Sequence, residues 1–148
     1  MYGAMTSSVI VKFCEDDDQI TAAYPIMDQL RPHLDEADFL EQIRRQMQSG
    51  YRQVAAHLGD EIVGVIGYRF AEDLAWGRTL YVDDLVVDEN HRGQGVGEAL
   101  MKGGEMETER QDCQTLRLCS DLTREQAHRF YEGIDMDKTS YSFVKKLI

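Results

Sequence analysis

Apolar positions in this chain fall into short runs and stripes separated by polar turns. Ser8 to Phe13 (SVIVKF) is a short apolar run between polar residues and predicts a first strand. The acidic stretch Cys14 to Asp18 opens a helix, since carboxylates favour a helix N-terminus. Ile20, Ala23, Tyr24, Met27 and Leu30 recur at helical spacing, so this helix runs to about Arg31; Pro25 predicts a kink or break within it and Pro32 its end. Asp35 or Asp38 caps a second helix, on which Phe39, Leu40, Ile43 and Met47 form one stripe and which Gly50 closes.

The period then changes. Arg52 to Leu58 and Glu61 to Phe70 read as strands joined by a turn at Gly59-Asp60, with Gly64 and Gly67 marking bulges or close backbone contact. Ala71 to Arg78 reads as a loop in which Trp76 is either an anchor packed on the sheet, the favoured reading, or part of a substrate pocket, and Thr79 to Val87 reads as a third strand. A helix from Gly95 to about Asp112 contains Gly103-Gly104, which suggests tight packing there. Thr115 to Ser120 alternates as a strand, and Arg124 to Tyr131 forms a helix. Ser140 to Leu147 is a final strand, with Met136 to Lys138 as a further candidate. The pattern predicts an α/β chain with helices on both faces of a mixed sheet.

Composition narrows this picture. A length of 148 residues fits one domain, residues 1–148, with a loose N-terminus over 1–7. The apolar runs are too short to span a membrane and no secretory leader is visible, so a cytoplasmic protein is expected. Cys14, Cys113 and Cys119 are odd in number and form no C-x-x-C, which argues for reduced thiols. His33, His57, His91 and His128 have no metal spacing with them, so no metal is expected. A net charge of -11 argues against a nucleic-acid partner and is compatible with a cationic substrate.

The chemistry concentrates between Leu80 and Leu100. The strand ending at Val87 passes through Asp88-Glu89-Asn90-His91 into Arg92-Gly93-Gln94-Gly95-Val96-Gly97, and helix-forming residues follow. A strand running through glycines into a helix start is built to bind an anion. The first N–H groups of the helix have no internal partners, the macrodipole is positive there, and glycines let backbone approach phosphate oxygens. No Gly-Lys-Ser/Thr follows, so this is not a Walker A loop, and the third glycine falls one residue early for the dinucleotide fingerprint.

The stretch resembles the acetyl-coenzyme A loop of the GCN5-related N-acetyltransferases (GNAT), whose signature Arg/Gln-x-x-Gly-x-Gly/Ala is met by Arg92, Gly95 and Gly97. The resemblance covers nearly the whole chain from about Ser8. It implies a GNAT-like fold with a mixed, mostly antiparallel sheet of 6–7 strands. It implies acetyl-coenzyme A as co-substrate, with its pyrophosphate on Arg92, Gly93, Gln94, Gly95, Val96 and Gly97 and its pantetheine arm along Leu85, Val86 and Val87. Direct acetyl transfer to a primary amine follows from it, the acceptor being a small cationic amine, a polyamine or a protein amine. Relatives commonly pair through their final strands or helices, so it also implies a homodimer. A catalytically silent acyl-coenzyme A sensor is the alternative.

Two further places carry the resemblance. Asp83 and Asp84 are adjacent carboxylates in an otherwise apolar strand, costly unless solvated or paired. The family often has a β-bulge here, and its polyamine-acetylating members have acidic residues that bind the amine or act as base; Asp83 and Asp84 are candidates for both roles. Tyr131, in Ala127-His128-Arg129-Phe130-Tyr131, matches the family's Ala-x-x-Phe-Tyr segment, whose tyrosine protonates the departing thiolate. Arg124 stands where the family usually has Asn, and Asp135-Met136 where it has Gly-Phe.

Overall fold

The computed structural model describes residues 8–148; the loose N-terminus expected over residues 1–7 lies outside them. The chain forms two compact units, one ending at Arg117 and one running from Leu118 to Ile148. In order, the elements are β1 (Val9–Phe13), α1 (Asp17–Ala22), α2 (Tyr24–Leu30), α3 (Glu36–Gln48), β2 (Arg52–Leu58), β3 (Glu61–Asp73), β4 (Gly77–Val87), a 3-10 turn (Glu89–His91), α4 (Val96–Arg110), β5 (Thr115–Leu118) and α5 (Glu125–Gly133). None of these helices is long and apolar enough to cross a membrane.

The first helical segment breaks where proline predicts. Ala23 ends α1 and precedes α2, and Pro25 sits in the first turn of α2, where its missing N–H leaves no hydrogen bond unmade. Asp16 caps α1 in a reciprocal box: its Oδ1 accepts from the Gln19 N–H at 2.8 Å, and Gln19 Oε1 accepts from the Asp16 N–H at 3.1 Å. Asp35 caps α3, accepting from the Asp38 N–H at 2.8 Å.

The sheet order is β1-β2-β3-β4-β5, with antiparallel pairing from β1 through β4. The β3–β4 ladder runs out to Asp73 opposite Gly77, so most of the expected loop over 71–78 is a hairpin. Trp76 at its tip carries the Arg117 guanidinium 5.3 Å from its ring centre. The Gln114 N–H donates to Arg78 O at 2.9 Å, the Thr79 hydroxyl to Thr115 O at 3.1 Å, and Arg117 lies over Tyr81 at 5.5 Å. Both strands advance in step, so β5 runs parallel to the opening half of β4 and the sheet is mixed.

Register assigns the faces. Val65, Ala55 and Val86 turn to one side, where they join Ile20, Ala23, Met27, Phe39 and Ile43 of α1–α3 in the core. Gly64 turns to the other, where a Cβ would lie 2.7 Å from Val96 Cγ1 and 3.0 Å from Leu100 Cδ1 of α4. Among the sheet glycines of the described residues, Gly64 is where α4 packs most tightly. At Gly103 and Gly104, where the sequence suggests tight packing, an added Cβ would meet its nearest atoms at 3.6 and 3.4 Å.

One expectation fails. Neither Ser140 to Leu147 nor Met136 to Lys138 forms a strand, so the sheet has five strands rather than six or seven. Alternating apolar residues give a segment strand propensity, but a strand exists only against a ladder partner. Among the described residues this segment has none, and Tyr141, Phe143, Val144 and Leu147 are exposed. Asp135, where a glycine is usual in the family, takes φ 69°, a left-handed conformation that glycine adopts without strain.

Candidate active site

The acidic pair sits on a β-bulge. Val82 pairs with Tyr68 and Asp84 with Gly67, which leaves Asp83 as an extra residue in β4. Regular alternation would send neighbouring side chains to opposite faces. The extra residue shifts the phase, and both carboxylates turn to the side covered by α1–α3. Each meets an arginine there. Arg69 donates from Nε to Asp83 Oδ2 and from Nη2 to Asp83 Oδ1, both at 3.0 Å, a bidentate pair. Arg31, at the end of α2, donates from Nε to Asp84 Oδ1 at 3.0 Å and from Nη2 to the Asp83 carbonyl at 3.1 Å. The Asp83 and Asp84 side chains are only 21% and 15% exposed, so the pairing offsets a real desolvation cost.

Tyr51 completes the arrangement. Its hydroxyl donates to Asp84 Oδ2 at 2.8 Å. The ring reaches Asp84 by lying across Gly67, where a Cβ would fall 1.6 Å from the Tyr51 oxygen; this is the close contact that glycine in β3 signals. Burial, and after it the negative charge of Asp84, push the Tyr51 pKa well above its ordinary value, so the phenol remains a donor. Arg31, Arg45, Gln46, Ser49, Tyr51, Arg69, Asp83 and Asp84 line a cleft of about 580 Å³. A smaller cavity of about 250 Å³ shares Arg31, Gln46, Tyr51 and Asp84 with it and has Met27, Leu34, Phe39 and Ile43 on its walls.

Beyond the bulge, Leu85, Val86 and Val87 pair with Ile66, Val65 and Gly64 of β3 on one side. The hydrogen bonds that tie β4 to the chain around β5 fall at Arg78 and Thr79, at the opposite end of β4. The chain then turns through exposed Arg92, Gly93, Gln94 and Gly95. Gly93 (φ 77°) and Gly95 (φ 83°) are left-handed, and an added Cβ at either would have no atom within 4 Å, so the backbone conformation selects glycine here. Helix α4 starts at buried Val96 with no side-chain cap on its first turn, and Gly97 follows. That leaves its opening N–H groups available to an anion.

Asp88 braces this loop. It accepts from Gln29 Nε2 of α2 at 2.8 Å, its Oδ2 lies 2.6 Å from His91 Nδ1, and the Glu89 N–H donates to Gln29 Oε1 at 3.0 Å. The Gln29 hydrogen bond, then that of His91, hold the Asp88 carboxyl below its usual range.

Tyr131 stands on α5 in the second unit. Its ring meets Phe130 edge-on with centroids 5.5 Å apart, and burial raises its pKa, partly offset by Arg124. The structure thus joins Asp83 and Asp84 in one cleft and places Tyr131 within a separate compact unit. Sequence reasoning missed Tyr51, Arg31, Arg69 and Arg45. A charged Arg69 inside an apolar strand, across the hairpin from an acidic pair, was the one available signal.

Comparison with known proteins gives the family. The model of the Acetyltransferase (GNAT) family matches residues 17–134. The chain belongs to that family. It is an acetyl-coenzyme A-dependent N-acetyltransferase in class. This acetyltransferase is 29% identical over 125 residues to the uncharacterized N-acetyltransferase YhdJ of Bacillus subtilis (strain 168), covering 83% of this chain and 88% of that one. Its fold is similar to aminoglycoside N-acetyltransferase AAC(6')-Iy in complex with CoA, with a TM-score of 0.84 at 12% identity over 95% of each chain. It is also similar to a ribosomal-protein-alanine N-acetyltransferase from Brucella melitensis biovar Abortus 2308, with a TM-score of 0.80 at 18% identity over 94% of this chain and 99% of that one. Those two likenesses concern the fold alone.

Proposed function

We propose that this acetyltransferase moves the acetyl group of acetyl-coenzyme A to a primary amine bound in the Asp83–Asp84 cleft, by direct attack and without a covalent enzyme intermediate. The observation that carries the reading is the bulge. It sets two carboxylates into one cleft on β4, immediately before the strand edge and the helix start that suit a pantetheine arm and a pyrophosphate. Leu85, Val86 and Val87 would pair with the arm through their backbone. The N–H groups from Arg92 to Gly97 would hold the pyrophosphate, in a loop whose left-handed glycines and uncapped helix start fit that anion.

An alkylammonium has a pKa near 10.4, so only about one in a thousand is neutral at pH 7. Asp83 and Asp84 hold the amine and take its proton, directly or through water, once it displaces part of their arginine pairing. The nitrogen lone pair then attacks the thioester carbonyl, a C–N bond forms and the C–S bond breaks; the nitrogen gives up its second proton to solvent as the amide forms, and solvent returns a proton to the Tyr131 phenolate after each turnover. Tyr131 gives its proton to the thiolate, a role its neutral, partly buried phenol supports.

The test is an acetyl-transfer screen across amine classes, read by release of free thiol. Asp83→Asn and Asp84→Asn should raise KM for the acceptor or lower kcat about tenfold or more, with coenzyme affinity near wild type. Full activity in both variants on the best acceptor would remove the carboxylates from the mechanism. Coenzyme binding with no thiol release to any amine would identify a sensor instead.

A further inference from the structure

The cleft has the opposite charge balance from the chain around it. The sequence carries a net charge of -11, yet three arginines and two aspartates line the cleft, with no glutamate and no lysine among them. Arg69 and Arg31 are matched one to one by Asp83 and Asp84. Arg45, in the last turn of α3, is the surplus cation. It makes no hydrogen bond or ion pair among the described residues, and the charged groups near it on its own helix are Asp38, two turns back, and Glu41. Beside it stand Ser49 and Gln46. The Gln46 oxygen accepts from Gln42 at 3.0 Å, which leaves its amide N–H groups to donate into the cleft. The cleft therefore offers one guanidinium with no hydrogen-bonded or ion-paired partner among the described residues, and neutral donors, on the α3 side, and a charge-balanced carboxylate pair on the β4 side.

We infer that the acceptor is an amine that also carries a carboxylate, an amino acid or an amino-acid-like metabolite, and not a polycation. Its amine meets the Asp83–Asp84 side and its carboxylate pairs with Arg45 and the neighbouring Gln46 and Ser49 donors. A polyamine would bring further positive charge to a wall that already has a surplus, whereas a carboxylate there completes the charge balance and can take the bidentate geometry that guanidinium favours. This deepens the proposed function and rests on the same cleft being the acceptor site.

The experiment compares acid and amide. The common α-amino acids, β-alanine and γ-aminobutyrate, the carboxamide of each, spermidine and an aminoglycoside are offered with acetyl-coenzyme A, and thiol release is measured at pH 8. The expected result is that at least one acid exceeds its own amide and both polycations at least tenfold in kcat/KM. Arg45→Gln should raise KM for that acid about tenfold, and Arg45→Glu should invert the preference towards amide or polyamine. Arg45 is exposed, so neither variant should impair folding. Amides or polyamines preferred, acid preference unmoved by Arg45→Glu, or no acid turned over each overturns the inference. A coenzyme titration on the same preparation separates the two failures. Coenzyme bound and another amine acetylated sinks only the carboxylate assignment; no coenzyme binding sinks the acetyltransferase reading of the cleft as well.

Discussion

The Tyr51 hydroxyl donates to Asp84 Oδ2 at 2.8 Å across the bare backbone of Gly67. Three places meet in that contact: the residue just before β2, the glycine of β3 and the bulge of β4. Removing the hydroxyl leaves Asp84 with Arg31 alone. A buried hydrogen bond to a charged group is worth about 1.5–3 kcal/mol. Tyr51→Phe should therefore lower unfolding stability by about that amount and reduce kcat/KM, as Asp84 loses one of its two anchors. Urea denaturation and thiol-release kinetics on the same protein check both halves.

The same contact makes Gly67 the least replaceable glycine of the sheet. A methyl there would sit 1.6 Å from the Tyr51 oxygen and 2.4 Å from its ring. Gly67→Ala should destabilise by more than about 2 kcal/mol, the scale of an overpacked core. In a Tyr51→Ala background the methyl meets no ring, and its added cost should shrink to below about 1 kcal/mol. A double-mutant cycle reads the coupling; additive costs would mean that Gly67 is glycine for another reason.

Gly95 tests the loop. Its φ of 83° strains any L residue, and a β-branched one most, while no atom lies within 4 Å of its Cβ position. Gly95→Val should weaken acetyl-coenzyme A binding more than tenfold and also lower stability by about 1–2 kcal/mol through strain. Gly95→Asn, which tolerates this conformation, should keep most of the stability. Calorimetric titration with coenzyme A separates the two; affinity unchanged in the Val variant would remove the loop from the binding site.

Tyr131→Phe should lower kcat about 10²–10⁴-fold with coenzyme affinity and melting temperature near wild type. The pH profile adds a sign. Burial raises the Tyr131 pKa, so the folded protein keeps the phenol protonated beyond the ordinary tyrosine range. Loss of the acid should then appear only above about pH 10, and a wild-type kcat that falls between pH 7 and 9 would point to a different proton donor.

Asp88 predicts an acid limb in stability. Its carboxyl is depressed by Gln29 and His91, so the stabilisation is present above the ordinary aspartate value and is lost as pH falls through the lower folded-state value. Gln29→Leu should lower the melting temperature by a few degrees at pH 7, with the difference closing below pH 4. A constant difference across that range would place the effect in packing of α2 rather than in the carboxylate.

Local chemistry was readable in the chain and long-range pairing was not. Pro25 announced the break between α1 and α2, Gly64 and Gly67 announced close contacts, and the alternation through Arg92 to Gly97 announced the turn into α4. Each of these signals acts within a few residues. Ser140 to Leu147 has the composition of a strand, yet whether a strand forms depends on a partner elsewhere. Arg31 and Arg45 come from two helices, and no spacing in the sequence says that both would converge on residues of β4. The sign of the cleft was lost for the same reason. Net charge describes the whole surface, while the three arginines that reverse it locally come from separate elements.

The bulge at Asp83 separates the architecture of the sheet from the chemistry it displays. Val82 would still face Tyr68, and Asp84 Gly67, in a strand one residue shorter. Deleting Asp83 would thus leave the remaining β3–β4 rungs in their present partnership, while stripping one carboxylate from the cleft and leaving the Arg69 guanidinium, still over the Tyr81 ring, without its bidentate partner. Strands with and without this one residue would fold alike and greet acceptors of different charge. In this position a length change can retune specificity without asking the core to repack.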